Sequence, residues 1–300
     1  MNYSIEILKS WVFGKKIFVC RLVNKNLVKK DLLQISNIYT NKIDKLFILK
    51  EDIEQCEIEL LKLAKSKGLN KVIVEIIGDC IDVFKTKILL EMCNNTVQDY
   101  FFEKSSYSLQ PKHLLKKIEY KKFLVYMVGV FFRKVLSFLL SENIVYADWK
   151  FDNMLLFYGD SDQIYNSIVN VKLCDFGSVQ KAGVEIRNVN NINPFFSSPY
   201  LNKIFETITP SHFDDFKSIS YLLFVLNGKQ LPWGNININK NNSNDVFIDL
   251  IVNITNQKFQ TDLYFLDTSD CIYWPPASEN LSCQDYNLYD IFSCLNKNFF

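Results

Sequence analysis

The feature that most constrains the fold is a change of pattern about a third of the way along the chain. Before residue 91, short runs rich in β-branched and aromatic residues predict strands, as in KIFVCRLV at 16–23 and KLFILK at 45–50. From residue 114, LLKKIEYKKFLVYMVGVFFRKVLSFLLSENI repeats apolar residues at helical spacing and predicts one long helix. A strand-rich part followed by a helix-rich part predicts an α+β fold.

The other elements fit the same division. Leucines and isoleucines at helical spacing, followed by Gly68, predict a helix over 53–68. Apolar segments predict strands at 70–79 and 85–93, and helices are predicted over 213–229 and 243–257. The joint falls near residues 91–96, so we predict a small lobe over 1–93 and a larger lobe over 94–300.

The composition argues against several classes of protein. The 300 residues are 48% hydrophobic, which supports a sizeable core and argues against disorder. A net charge of +1 gives no sign of direct nucleic-acid binding. The longest apolar run, FLVYMVGVFF at 123–132, is about half the roughly 20 residues that a membrane span requires. We therefore expect neither a nucleic acid nor a membrane as a partner.

The cysteines and the first residues bear on the compartment. Eight cysteines are spread along the chain without a CxxC pair, in a chain too long for a small disulfide scaffold. The start, MNYSIEILKSWVFGKK, lacks the long apolar segment of a signal peptide. With His113 and His212 as the only histidines, no zinc site is expected. These features predict reduced thiols in an intracellular protein.

Polar residues interrupt the apolar pattern in IVYADWKFDNMLLFYGD, residues 144–160. Asp148, Lys150 and Asn153 lie between two apolar runs, where charged groups cost free energy unless they have partners. One interpretation is an ordinary hairpin turn, in which Asp152 and Asn153 supply the turn residues. The other is a shared ligand for the carboxylate, the ammonium group and the amide.

A second polar stretch favours a ligand that contains magnesium and phosphate. VKLCDFGSV predicts a strand that ends at Asp175. The oxygens of Asp175 and Asn153 are of the hard type that Mg²⁺ prefers, and Mg²⁺ keeps substrate phosphates in its shell. Lys150 then supplies positive charge for a phosphoryl group, and Asp148 can receive a hydroxyl proton.

These motifs, in this order, resemble those of the eukaryotic protein kinase family. DWKFDN has the D-x-K-x-x-N spacing of the kinase catalytic loop and is followed by DFG. LFILK resembles the third strand, with Lys50 as its phosphate-pairing lysine. EIELL resembles the next helix, in which Glu57, or alternatively Glu54, would pair with that lysine. The resemblance implies a two-lobed protein-kinase-like fold, with a small antiparallel sheet lobe that binds nucleotide and a larger helical catalytic lobe.

Other segments extend the resemblance or depart from it. ILLEMC resembles the hinge, with Leu90 as gatekeeper and Glu91 to Cys93 offering backbone groups to adenine. The glycine-rich loop over the phosphates is missing, and only Gly14 loosely resembles its last glycine. The usual His-Arg before the catalytic aspartate is replaced by Tyr146-Ala147.

The later motifs point to one branch of the family. FSSPYL resembles the end of the activation segment, and DDFKSISYLLFVLNGKQLPWG most resembles the casein kinase 1 and vaccinia-related kinase branch. The resemblance implies that Asp215 bonds the backbone of the catalytic loop. Abundant Asn, Lys and Ile suggest AT-biased coding, which together with the divergent motifs is similar to a kinase of a large DNA virus or a comparable intracellular parasite. We therefore expect it to act in the cytoplasm or nucleus of a host cell.

The resemblance implies a serine/threonine protein kinase that uses ATP and Mg²⁺, takes a protein substrate and acts as a monomer. Asp148 would deprotonate the acceptor hydroxyl, Lys150 would neutralise the γ-phosphate, and Asn153 and Asp175 would hold magnesium. Lys50 would grip the inner phosphates. Two alternatives stay open: a pseudokinase that serves as a binding or scaffolding module, and a small-molecule phosphotransferase.

Overall fold

The computed structural model describes residues 3–13, 15–24, 34–35, 46–81, 86–102, 123, 126–158, 168–187, 193, 195–197, 201 and 207–226. By their contacts, residues of the chain form two compact units. The first unit consists of Met1–Asn95, Leu155–Asp160 and Val169–Gly177, and the second of the segments between and after these. The architecture is a mixed α+β one, as the sequence predicts.

A six-stranded antiparallel sheet dominates the first unit, with strand order β1-β2-β4-β6-β5-β3. The strands predicted at 16–23, 45–50 and 85–93 are present as β2, β4 and β6, whereas the strand predicted at 70–79 begins only at Ile76. The sheet consists of β1 (Tyr3–Phe13), β2 (Lys15–Asn24), β3 (Gln34–Ile35), β4 (Leu46–Glu51), β5 (Ile76–Ile81) and β6 (Thr86–Glu91).

Side-chain alternation in these strands forms the core of the sheet. Phe47 and Leu49 on β4 are both 3% exposed, and they pack with Cys20 on β2, Leu89 on β6 and Ile77 on β5. Because successive side chains of a strand point to opposite faces, residues two apart share the buried face. This core fixes the position of β4 up to its last residues.

The helix predicted over 53–68 is present as α1 (Gln55–Ser66). It buries Ile58, Leu61 and Ala64, which recur at the spacing of one helical face. Gly68 follows with a φ of 71°, a left-handed conformation that glycine adopts without strain and that commonly ends helices. The predicted glycine stop is therefore confirmed.

Further strands follow β6 along the chain. They are β7 (Asn95–Thr96), β8 (Ile144–Val145), β9 (Met154–Tyr158), β10 (Ile168–Leu173) and β11 (Gln180–Lys181). Strands β10, β9 and β7 form one sheet in that order, and β11 pairs with β8. In the first unit, Leu173 exchanges backbone hydrogen bonds of 2.9 Å with Val72 and Val74, which places the end of β10 beside the segment before β5.

Helices form most of the described part of the second unit. They are α2 (Val97–Phe101), α3 (Arg133–Ser141) and α4 (His212–Leu226). Thr96 caps α2, since its hydroxyl accepts a 3.0 Å hydrogen bond from the backbone N–H of Asp99. The helix predicted from residue 213 is thus present as α4, up to the last residue that is described.

The long helix predicted from residue 114 differs in two respects. Met127–Phe132 forms a π-helical segment ahead of α3. The sequence did not predict it, because apolar spacing read with a 3.6-residue period does not distinguish a wider helix over six residues. The helix ends at Ser141, two residues before Asn143 adopts a left-handed φ of 53°. Residues 114–122 lie outside the described residues, as do Gly14, Pro199, Tyr200 and the helix predicted over 243–257. Among the described helices, none has the length and apolarity to cross a membrane.

Candidate active site

Three residues of the first unit, Lys50, Glu57 and Asp175, form what we call the lysine cluster. The Nζ atom of Lys50 lies 2.6 Å from Oε1 of Glu57 and 2.9 Å from Oδ1 of Asp175. Lys50 and Glu57 are only 6% and 3% exposed. The ion pair predicted between them is present, and the alternative partner, Glu54, is exposed and instead accepts a hydrogen bond from the Cys56 thiol.

The charges of the lysine cluster do not cancel, since one ammonium group lies between two carboxylates. Burial on its own lowers the pKa of Lys50, but the carboxylates of Glu57 and Asp175 outweigh burial and raise the pKa above its ordinary value. The lysine is therefore charged at neutral pH. The remaining negative charge favours a cation on the side of Asp175.

The backbone at Asp175 is held in an uncommon conformation. Its φ of 57° is left-handed, which costs most non-glycine residues free energy, although aspartate tolerates it better. The next residue, Phe176, donates its backbone N–H to Oε1 of Glu57 at 3.3 Å. Glu57 therefore binds both Lys50 and the segment that carries Asp175, and strained backbone of this kind is typical of functional sites.

The predicted hinge has a side-chain contact that sequence reasoning missed. Oε1 of Glu91, at the end of β6, accepts hydrogen bonds from Nζ of Lys172 at 2.5 Å and from the backbone N–H of Glu75 at 2.6 Å. Burial raises the pKa of Glu91, and Lys172 offsets part of that effect. Lys172 is 6% exposed and lies 4.5 Å from the ring centre of Phe157. The sequence signal was a lysine within the apolar run VKLC.

The contact between Glu91 and Lys172 bears on which groups of the hinge residues could contact a nucleotide. Because the side chain of Glu91 bonds to Lys172, the predicted contact of Glu91 with adenine would use its backbone groups. Leu90 is 8% exposed, and Cys93 is half-buried. Among the described residues, no side-chain hydrogen bond links Glu91 to the lysine cluster. Gly14, the remaining predicted nucleotide contact, is not among the described residues.

In the second unit, Asp148, Lys150 and Asn153 meet in what we call the aspartate loop. Oδ2 of Asp148 accepts hydrogen bonds from Nζ of Lys150 at 2.6 Å and from Nδ2 of Asn153 at 2.9 Å. Oδ1 accepts the backbone N–H of Asn193 at 2.9 Å. Burial raises the pKa of Asp148, and these donors offset part of the effect. A carboxylate with a raised pKa accepts a proton more readily.

The local structure of the aspartate loop tests the hairpin interpretation of its sequence. Phe151–Asn153 forms a 3₁₀ turn, and the backbone N–H of Asn153 donates to the carbonyl of Lys150 at 3.1 Å. On either side of the turn, β8 pairs with β11 and β9 pairs with β10 and β7. The hairpin interpretation is therefore wrong, because the strands flanking the turn do not pair with each other.

Asp215 on α4 anchors the start of the aspartate loop. Its carboxylate accepts the backbone N–H groups of Tyr146 at 2.9 Å and Ala147 at 3.0 Å, as the kinase resemblance implied. It also accepts Nε1–H of Trp149 at 2.7 Å, a contact that was not predicted. Burial raises the pKa of Asp215 to about 7, although the three donors lower it in part. The carboxylate holds Ala147 at a left-handed φ of 65°.

One residue of the aspartate loop, Asn153, has an oxygen atom that could bind magnesium. Nδ2 of Asn153 faces three oxygen acceptors, while Oδ1 accepts no hydrogen bond from the described residues. Asn153 is 5% exposed, and a buried amide oxygen without a donor is suited to a cation. No group of three His, Cys, Asp or Glu side chains forms a metal cage in the described part of the chain. Mg²⁺ in phosphate-transfer sites needs only one or two protein carboxylates beside the substrate phosphates.

Comparison with known proteins adds no further assignment. No family model matches the chain, and no curated protein matches it. The described residues establish a mixed α+β protein with an antiparallel sheet and two charged clusters, each within one unit.

Proposed function

We propose that the chain is a serine/threonine protein kinase with the two-lobed protein-kinase-like fold, which transfers the γ-phosphate of ATP to hydroxyl groups of a protein substrate. The lysine cluster carries the proposal. Its members come from three separate motifs, LFILK, EIELL and DFG, and Asp175 lies 125 residues after Lys50. Their 2.6 and 2.9 Å contacts form the ammonium–carboxylate arrangement that kinases use to hold nucleotide phosphates.

In the proposed reaction, the residues position groups and balance charge. Oδ1 or Oδ2 of Asp148 takes the proton of the acceptor hydroxyl, whose oxygen bonds to the γ-phosphorus as the bond to the β,γ-bridging oxygen breaks and ADP leaves. Lys150 neutralises charge on the transferred group. Asp175 and Asn153 would hold Mg²⁺, which when bound neutralises charge on the phosphates. Lys50 binds the inner phosphates while Glu57 fixes its position.

The substrate class and setting rest on the resemblance. Lys150, two residues after Asp148, matches the serine/threonine rather than the tyrosine branch of the family. The similarity to casein kinase 1 and vaccinia-related kinases, with the AT-biased composition, extends the proposal to a monomeric viral kinase in the cytoplasm or nucleus of a host cell.

A pseudokinase is the second candidate, because the sequence before β4 lacks the glycine-rich loop. Glycines in that loop let backbone N–H groups approach the phosphates closely. The candidate predicts binding of nucleotide or partner without turnover. The buried ion pair of Lys50 with Glu57 and the raised pKa of Asp148 favour catalysis instead.

The test is phosphate transfer by the purified full chain with Mg²⁺ and labelled ATP, on casein as an acidic substrate and histone as a basic one. Asp148→Asn removes the proton acceptor and should lower turnover by about 10³-fold, within the range of general-base catalysis. Asp152→Asn removes an exposed carboxylate from the same 3₁₀ turn and should retain turnover within about twofold. Both variants should melt near the wild-type temperature. If wild type transfers no more phosphate than Asp148→Asn, to any acceptor including itself, the pseudokinase is correct.

A further inference from the structure

The hydroxyl of Tyr146 contacts the amide of Asn153 inside the second unit. Nδ2 of Asn153 lies 3.0 Å from Oη of Tyr146, 3.0 Å from the carbonyl oxygen of Asp148 and 2.9 Å from Oδ2 of the same aspartate. Tyr146 is fully buried and Asn153 is 5% exposed. All three neighbours of the amide nitrogen are oxygen atoms that accept hydrogen bonds.

These contacts define which way the amide of Asn153 is turned. The reverse orientation would place its oxygen against a carbonyl and a carboxylate oxygen, and buried oxygens that face each other without a hydrogen are unfavourable. Nδ2 therefore faces the three acceptors. The oxygen, Oδ1, points to the other side, where no described residue donates a hydrogen bond to it.

We infer that Tyr146 is a positioning residue, whose hydroxyl fixes the amide of Asn153 so that Oδ1 is presented to Mg²⁺. The inference rests on the proposed function, which makes Asn153 a metal ligand. Partners that orient metal ligands commonly change metal affinity when they are removed. The other two acceptors both belong to Asp148, so among the described residues Tyr146 is the side chain that holds the amide independently of the proton acceptor.

Tyr146 itself is held at its ring and at its backbone, as a positioning role requires. Its ring packs edge-on against Trp149, with ring centres 5.0 Å apart. The backbone N–H of Tyr146 donates to Asp215 at 2.9 Å. Asp215 thus fixes the backbone of Tyr146, and Tyr146 in turn fixes Asn153, the predicted metal ligand.

The experiment compares Tyr146→Phe with Tyr221→Phe. Both substitutions remove one phenol hydroxyl from a buried tyrosine of the second unit, and Tyr221 lies on α4. Melting temperatures are measured with saturating ADP over a range of Mg²⁺ concentrations, and also with ADP and no divalent metal. In Tyr146→Phe the Mg²⁺ concentration for half of the shift should rise about three- to tenfold, the loss expected for one hydrogen bond to a metal ligand. Tyr221→Phe should leave it unchanged, and the metal-free shift should be the same in all three proteins.

Each result has a definite meaning. A wild-type shift that depends on Mg²⁺, with an unchanged half-point in Tyr146→Phe, overturns the inference and leaves the proposed function standing. A wild type that shows no Mg²⁺-dependent shift overturns the metal assignment of the proposed function and this inference with it. A Tyr146→Phe chain that is unfolded where Tyr221→Phe is folded shows that the hydroxyl serves stability, which also overturns the positioning role.

Discussion

The lysine cluster and the aspartate loop each contain a buried carboxylate, and different sets of donors stabilise it. In the lysine cluster one ammonium group serves two carboxylates, so its removal leaves both without their cation. In the aspartate loop a single carboxylate has three donors, which are an ammonium group, an amide and a backbone N–H. The first site therefore depends on one cation and carries excess negative charge, although Glu57 also accepts the backbone N–H of Phe176. The second site is neutral, and its carboxylate has two further donors beside its cation.

The largest expected effect is a difference in stability between variants of the two lysines, Lys50 and Lys150. Lys50→Met should lower the free energy of unfolding by about 3 kcal/mol, because it leaves the buried carboxylate of Glu57 without its counter-charge. Lys150→Met should cost about 1 kcal/mol, because Asp148 keeps the amide of Asn153 and the N–H of Asn193. Urea denaturation followed by fluorescence measures both values.

Two further variants complete the lysine comparison. Glu57→Gln added to Lys50→Met should restore part of the lost stability, since it removes one of the two uncompensated charges. Lys62→Met, an exposed position on α1, should change stability by about 0.5 kcal/mol or less. Equal losses for Lys50→Met and Lys150→Met would contradict the difference between the two sites.

An intermediate effect concerns pH and Asp215, which anchors the aspartate loop. Its pKa, raised to about 7 by burial, exceeds the value of about 3.9 for aspartate in an unfolded chain. The folded state therefore keeps a proton that the unfolded state loses, and the stability from this group falls as pH rises from about 4 to about 7. The stability of wild type relative to Asp215→Asn should decline over that window by up to about 1.4 kcal/mol per pH unit, and be level above it.

Denaturation midpoints at pH 5, 6, 7 and 8 measure this difference. Asp214→Asn, the neighbouring position on α4, should leave most of the decline in place, because the charge of Asp214 is the smallest of the named causes that shift the pKa of Asp215. A difference that increases with pH would show that the three N–H donors outweigh burial, and that the carboxylate of Asp215 is favoured in the fold.

The smallest expected effect is that of phosphorylation on the segment after Asp175. In the second unit, Ser178 and Ser197 are only 6% and 2% exposed, and Ala147 stands where many of the protein kinases that the sequence resembles have an arginine that receives a phosphate. A phosphate adds roughly −1.5 to −2 charges, for which these buried sites offer no room without rearrangement. We therefore expect phosphatase treatment to leave activity within about twofold. A large loss that is restored by autophosphorylation at Ser178, Ser197 or Ser198 would contradict this, with Lys181 or Arg187 as the receiving residue.

The sequence predicted the local parts of this molecule better than the distant contacts. Alternating apolar residues predicted β2 and β4, and helical spacing with Gly68 predicted α1, because these patterns follow from neighbours in the chain. The spacing of DWKFDN placed three polar groups in one loop for the same reason. The pairing of Lys50 with Glu57 was predicted only through the resemblance to a known family. The contact of Lys50 with Asp175 was not predicted, because it depends on the whole fold.

The contacts that were missed share a physical cause. The pairs Lys172–Glu91, Trp149–Asp215 and Asn153–Tyr146 are side-chain hydrogen bonds of buried groups. A sequence shows that a polar residue stands in an apolar run, and burial requires that it have a partner. It does not show which partner, because that depends on distances between segments that local patterns leave undetermined.

The left-handed backbone at Asp175 decides how this position can be studied by mutation. Alanine there would remove the carboxylate and also meet the steric cost of roughly 1 kcal/mol that a Cβ without a local polar partner has at positive φ. An alanine scan would thus combine two effects in one number and overstate the electrostatic one. Asparagine tolerates the same conformation, so Asp175→Asn removes the charge without the backbone cost. The difference between Asp175→Ala and Asp175→Gly then reports the backbone cost, because both lack the carboxylate.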